Sequence, residues 1–361
     1  MEKLRRRSVL GGLLAAATIA ALPPVARAAE ADVQGLRAIA DGKKLRVGSA
    51  IDPELLGDPA YVKLILEQCN TIVPRNAMKW AAVEPKPGTF TFGNVDKVVA
   101  FAQKNKLGMR GHTLVWYNSP GWVTRLKSPE AVRDAVVRHI TTVMSRYAGR
   151  IASWDVVNEP FEYDSPELRK MVFSEQLGEQ YMDLAFHTAR AADPTGQLVL
   201  NETHLYEPGD VYDAKRKAVL ALLDRLQARK VPIDALGVQG HIRPGLDKVD
   251  ADAFGAFCRE VKSRGLAMLL TELDASCRFI KRVPGFKPAD YGIPMSQLIS
   301  TAQANARLSA VIFWGLSPHG QKPNEVGKNA ECRYRINLFD DELQPLPTFD
   351  AVQKALGAFR T

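Results

Sequence analysis

Cysteine is scarce in this 361-residue chain, with four residues at positions 69, 258, 277 and 332. So few exclude a disulfide-stapled scaffold, and a chain of this length buries ample core without bridges. Cys69 and Cys258 fall in helix-like patterns and read as buried thiols. Cys277 and Cys332 both fall in loops, and a bridge between them stays open because connectivity is not readable from sequence. The six histidines form no pair with zinc-ligand spacing, alone or with cysteine. No metal and no cofactor is therefore expected, and a metal-dependent barrel lyase or isomerase loses its basis.

No glycine-rich phosphate loop follows the first strand-like run, which removes the best support for an open doubly wound sheet. Basic runs that would suggest nucleic acid are missing too. The formal charge is +8, but residues 1–28 hold five Lys/Arg against one acid, half of the total. Those 28 residues read as a leader: Arg5–Arg7, an apolar stretch from Val9 to Leu22 too short to span a bilayer comfortably, and Ala26-Arg27-Ala28 as a cleavage site. The run "RRSVL" resembles a twin-arginine export signal. The expected product is residues 29–361, periplasmic or extracellular, with no membrane attachment after cleavage.

What is present is a repeated alternation of apolar runs and helical patterns. Strands are expected at 45–51, 71–78, 107–116, 151–158, 197–203, 235–242, 266–274 and 310–316. Helices are expected near 59–69, 95–106, 129–148, 167–192, 210–229, 251–264, 290–307 and 347–358. Val219, Leu222, Leu223 and Leu226 share one helical face, and Ser128-Pro129 is a helix start. Near-continuous apolar strands suit a parallel sheet covered on both sides. Eight strand–helix units point to an α/β fold, a single-domain (β/α)8 TIM barrel, whose reactive groups sit at the C-terminal strand ends.

Those ends carry residues unsuited to packing: Asn76, Lys79 and Trp80, then His112 and Trp116, then Asn158 and Glu159, then Asn201 and Glu202. Gln239 and His241, Glu272 and Asp274, and Trp314 complete the rim. Glu159 and Glu272 end strands on opposite sides of the barrel mouth. Two carboxylates flanking a cleft with aromatic platforms are the apparatus of glycoside hydrolysis.

The stretches "NAMKW" (76–80), "RGHTLVW" (110–116), "WDVVNEP" (154–160), "VQGH" (238–241), "TELD" (271–274), "FWG" (313–315) and "LFDDELQPLP" (338–347) resemble glycoside hydrolase family 10, the endo-β-1,4-xylanases. The resemblance implies a retaining mechanism, with Glu159 as acid/base and Glu272 as nucleophile. It implies that His241, oriented by Asp274, holds Glu272 ionised, that Asn158 bonds the sugar 2-OH, and that Gln239 bridges toward the carboxylates. Asn76, Lys79, Trp80, His112, Trp116 and Trp314 would bind substrate, a xylan or related β-glycan, in a monomeric enzyme. A hydrolase of another decorated or bacterial polysaccharide, or a catalytically silent sugar-binding barrel, are the rival readings. The silent barrel has no need of both glutamates with Asn158 and the His241–Asp274 pair.

Four places depart from the family pattern. Arg75 stands where a glutamate is usual, Tyr117 where a histidine is usual, Asn201-Glu202-Thr203 replaces Asn-Asp-Tyr, and "LSPHGQKPN" follows "FWG". All lie in substrate-binding positions. They give the expectation that Arg75 and His319 accommodate an acidic polysaccharide, against the reading of neutral change in rim loops.

Overall fold

The computed structural model describes residues 35–243, 247–275, 292–320 and 337–358. The leader, the Cys277–Cys332 pair and residues 321–324 of the 317–324 loop lie outside the described residues. The strands are β1 (Arg46–Ile51), β2 (Thr71–Pro74), β3 (Gly108–Gly111), β4 (Ser153–Asn158), β5 (Gln197–Glu202), β6 (Ala235–Val238), β7 (His241–Ile242), β8 (Ala267–Ala275) and β9 (Leu308–Phe313). They pair in parallel in the order β6-β5-β4-β3-β2-β1-β9-β8, and β6 pairs with β8 to close the barrel. The two-residue β7 extends the rim against β8. The expected fold is therefore present: eight parallel barrel strands with helices between them.

The barrel interior is filled by small and branched side chains such as Ala50, Val73, Val199, Ala235 and Ile312, capped by Trp314. A second, larger apolar cluster fills the layer between sheet and helices. Helix starts follow the expected chemistry. Asp58 accepts from the Ala60 and Tyr61 amides ahead of the Pro59–Gln68 helix, and Ser128 accepts from Ala131 ahead of Pro129–Tyr147. Several expectations change. The helix over 167–192 is two, Val172–Leu177 and Gln180–Ala192. The strands over 71–78 and 107–116 are four residues each, Thr71–Pro74 and Gly108–Gly111, and the one over 235–242 is broken into β6 and β7.

Close packing between β3 and β4 demands glycine at 111. A Cβ there would meet the ring of fully buried Trp154 at 2.2 Å. A Gly111→Ala variant is expected to lose about 1–3 kcal/mol of stability through overpacking, measured as a lowered urea midpoint at unchanged slope. An unshifted midpoint would show that the contact relaxes freely.

Candidate active site

Glu159 follows the last residue of β4 with φ of +52°, in the left-handed region that costs an L-residue energy. Its surroundings hold it there. The Glu159 amide donates to the Asn201 carbonyl at 2.8 Å. Arg169 donates to the carbonyls of Glu159 and Phe161 at 3.2 and 2.8 Å. Lys215 donates to those of Glu162 and Tyr163 at 2.9 and 3.1 Å. Glu202 accepts from the Phe161 amide at 3.0 Å and pairs with Lys215 at 3.1 Å, both side chains fully buried. Burial pushes the Glu202 carboxyl up, and Lys215 opposes that rise. The turn after β4 is thus clamped from both sides.

Two side-chain amides, Asn201 and Asn158, join the two glutamates. Thr271 donates its hydroxyl to Asn201 Oδ1 at 2.7 Å, which turns Asn201 Nδ2 toward Asn158 Oδ1 and Glu272 Oε1, each at 2.8 Å. Gly237 leaves room for this arrangement, since a Cβ there would lie 2.3 Å from Asn201 Oδ1.

The two carboxylates have different company. Glu159 Oε1 accepts from Gln239 Nε2 at 2.8 Å and Asn158 Nδ2 at 3.3 Å, and Oε2 accepts from the Tyr163 hydroxyl at 3.4 Å. All three donors are neutral. Glu272 Oε2 instead faces His241 Nε2 at 3.1 Å, while His241 Nδ1 lies 2.7 Å from Asp274. Burial pushes His241 down, but the two carboxylates prevail and raise it to about 10, so it is an imidazolium donating from both nitrogens. Burial likewise pushes Glu272 up, and His112, His241 and Lys79 outweigh it and lower it to about 2. His112 donates Nδ1 to Asp155 at 2.9 Å, and Asp155 pairs with buried Arg110 beneath the cleft. Such a site keeps one carboxylate ionised and leaves the other among neutral donors, the division of labour that acid–nucleophile chemistry requires.

Aromatic walls flank the pair. Trp314 meets His112 and His241 edge-on, with centroids 5.0 and 6.2 Å apart. Lys79 sits 4.9 Å over the Trp116 ring and donates to Asn76 at 2.9 Å. Trp116 Nε1 is buried with no hydrogen-bond partner among the described residues, a donor left for a ligand.

Three expected contributors lie elsewhere. Trp80 is a core residue, 3% exposed, stacked on His139 at 4.0 Å with its indole N–H on Glu84. Arg75 is spent on Asp52 and the carbonyl of Trp314, and His319 on Asp58 and the Asp341 carbonyl. Both cations that were to greet an acidic sugar already have acidic or carbonyl partners within the protein. Sequence reasoning put Asn201 and Glu202 among substrate-binding positions, whereas Asn201 bonds Asn158 and Glu272 and Glu202 is buried on Lys215; it missed Arg169, Lys215, Asp155 and Tyr163 altogether. Their only signal was charge or polarity in otherwise ordinary loop, helix and strand patterns.

Among the described residues no cluster of His, Cys, Asp and Glu is arranged to hold a metal ion. The model of glycosyl hydrolase family 10 matches residues 35–355. The chain is 40% identical over 307 residues to the endo-1,4-beta-xylanase of Agaricus bisporus, covering 83% of this chain and 89% of that protein. It is 36% identical over 322 residues to endo-1,4-beta-xylanase A of Phanerodontia chrysosporium, 87% of this chain and 75% of that one. Among solved structures, native xylanase 10B from Thermotoga maritima superposes with a TM-score of 0.79 at 29% identity, covering 89% of this chain and 98% of that one. The xylanase 10B of Thermotoga petrophila RKU-1, solved with xylobiose, gives 0.78 at 28%, covering 89% and 97%.

The His241–Glu272 pair makes a pH prediction. Glu272 is lowered from 4.5, so its contribution is present above that pH and is lost as pH falls through about 2. His241 is raised from 6.5, so its contribution is complete below that pH and is lost as pH rises through about 10. The stability advantage of wild type over His241→Asn, measured by urea unfolding, is expected to peak between pH 4.5 and 6.5 and shrink on both sides. An advantage unchanged from pH 6.5 to 10 would rule out the imidazolium.

Proposed function

The chain belongs to glycosyl hydrolase family 10, and we propose that it is a retaining endo-1,4-β-xylanase acting through Glu159 and Glu272. The observation that carries the reading is the contrast between the two carboxylates. Glu272 is held ionised by an imidazolium and accepts from Asn201. The Glu159 carboxylate accepts from neutral donors alone among the described residues.

In the first step Glu272 attacks the anomeric carbon while Glu159 gives its proton to the departing glycosidic oxygen. The bond to the leaving sugar breaks as the glycosyl–enzyme bond forms. In the second step the ionised Glu159 takes a proton from water, the water oxygen attacks the same carbon, and Glu272 leaves as carboxylate. His241, fixed by Asp274, steadies the negative charge on Glu272 before and after the covalent stage. Asn158, tied to both glutamates through its own amide and Asn201, is placed to bond the 2-OH of the reacting sugar. Gln239 steadies Glu159. His112, Lys79, Trp116, Asn76 and Trp314 form the sugar-facing walls.

The substrate follows from the relatives, which are endo-1,4-beta-xylanases. Arg75 and His319 are occupied inside the protein, which removes the reason to single out acidic side groups, and a β-1,4-xylan backbone is the substrate we assign. Residues 1–28 we read as an export leader, placing the enzyme in the periplasm or outside the cell. Intact mass of the exported protein would then begin at Ala29; a chain retaining Arg5–Arg7 would refute that reading.

The test is mass spectrometry and NMR of the products from soluble xylan. Xylo-oligosaccharides released first as the β-anomer are expected, with Glu159→Ala and Glu272→Ala each losing roughly 10³-fold or more in kcat. On an aryl β-xyloside, whose leaving group needs no proton, added azide is expected to rescue Glu159→Ala with a β-glycosyl azide as product, since the intermediate still forms there. First products as the α-anomer would sink the retaining mechanism, and no products from any xylan would sink the substrate.

A further inference from the structure

The third donor on Glu159 is the end of a chain of groups that the catalytic scheme does not use. Tyr163 donates to Glu159 Oε2 at 3.4 Å, and its oxygen lies 3.1 Å from that of Tyr117. An ionised carboxylate can only accept, so while Glu159 is ionised the Tyr163 hydrogen points to it and the Tyr117 hydrogen to Tyr163. Both rings lie against one guanidinium: Arg169 Cζ is 4.4 Å from the Tyr117 centroid and 4.8 Å from that of Tyr163. Arg169 is itself 8% exposed and is pinned by Glu162 and by the carbonyls of Glu159 and Phe161. Tyr163 thus belongs to the clamped turn, while Tyr117 reaches it from the segment after β3.

We propose that Tyr117 and Tyr163 are a positioning pair that orients the Glu159 carboxyl and governs how readily it holds its proton. The proposal rests on the reading of Glu159 as acid/base. Each phenol hydrogen favours the ionised carboxylate, Tyr163 directly and Tyr117 by polarising Tyr163. Burial and the Glu159 charge both raise the Tyr163 phenol, so it stays protonated through the working range. Other titratable or charged groups also face this carboxyl and its phenol. They are Glu202 with Lys215 from β5 and the Asp210–Ala228 helix, Glu272 through Asn201, Arg169 along the turn, and His204 with Glu207 beside Tyr163. Removing a phenol oxygen leaves all of these in place, and phenylalanine keeps the ring against Arg169.

The experiment is an NMR titration of carboxyl-labelled protein, with Glu159 identified by its absence in Glu159→Gln, alongside the pH profile of kcat/KM on xylotetraose. In Tyr163→Phe the Glu159 midpoint and the alkaline limb are both expected to move up by roughly 0.5–1 pH unit. Tyr117→Phe should move them the same way by less. The double variant should move them no further than Tyr163→Phe alone, because Tyr117 acts through Tyr163. A midpoint that stays put or falls in Tyr163→Phe overturns the proposal, as does a Tyr117→Phe shift that adds in full to it. A wild type silent on xylotetraose would instead strike the functional reading, and the titration would still decide the phenol pair.

Discussion

Two carboxylates in one buried cleft repel each other, and most of the site follows from how that repulsion is relieved. The imidazolium of His241 sits against Glu272 with Asp274 behind it. That places one positive charge between two negative ones and leaves Glu159 out of the exchange. Asn201 then lets the two glutamates share a single rigid amide chain without sharing a proton. Remove the cation and both acids compete for protons; remove the amide and their relative position is set by loop backbone alone.

The second demand is on the backbone. A carboxylate at a strand end is easily solvated and floppy, yet the acid must meet a particular oxygen. Lys215 and Arg169 spend donors on four carbonyls of the turn, those of residues 159 and 161 to 163. Glu202 supplies the matching acceptor for Phe161 and neutralises Lys215. The clamp is electrostatic but inward-facing, so salt in the medium scarcely screens it. It holds Glu159 in a conformation its own side chain would not choose.

Much of this was legible in the chain. Apolar runs marked the place of every barrel strand, though β2 and β3 end well short of the runs that announced them, and polar residues at their ends marked the cleft. Glu159 and Glu272 stood out because a glutamate at the tip of an apolar strand has no packing reason to be there. Trp80 was misplaced because it shares a motif with Asn76 and Lys79. Yet it opens a one-turn helix, Trp80–Val83, that rotates it into the core. Arg75 and His319 looked free because their partners, Asp52 and Asp58, are 23 and 261 residues away in sequence. Arg169 and Lys215 were invisible because most of their partners are backbone carbonyls, which leave no trace in residue identity.

The left-handed backbone at Glu159 has a consequence for how such a chain changes over generations. Left-handed φ is free for glycine and costs an L-residue about 1 kcal/mol or more. The acid is therefore kept at that position against conformational preference, and the fold would gain by losing it. A lineage released from the need to cut its substrate should exchange Glu159 early, for glycine or asparagine, while Glu272, seated in regular β8, lingers. Within the family, a barrel with its nucleophile intact and glycine at this turn would be a fossil of abandoned catalysis rather than a damaged enzyme.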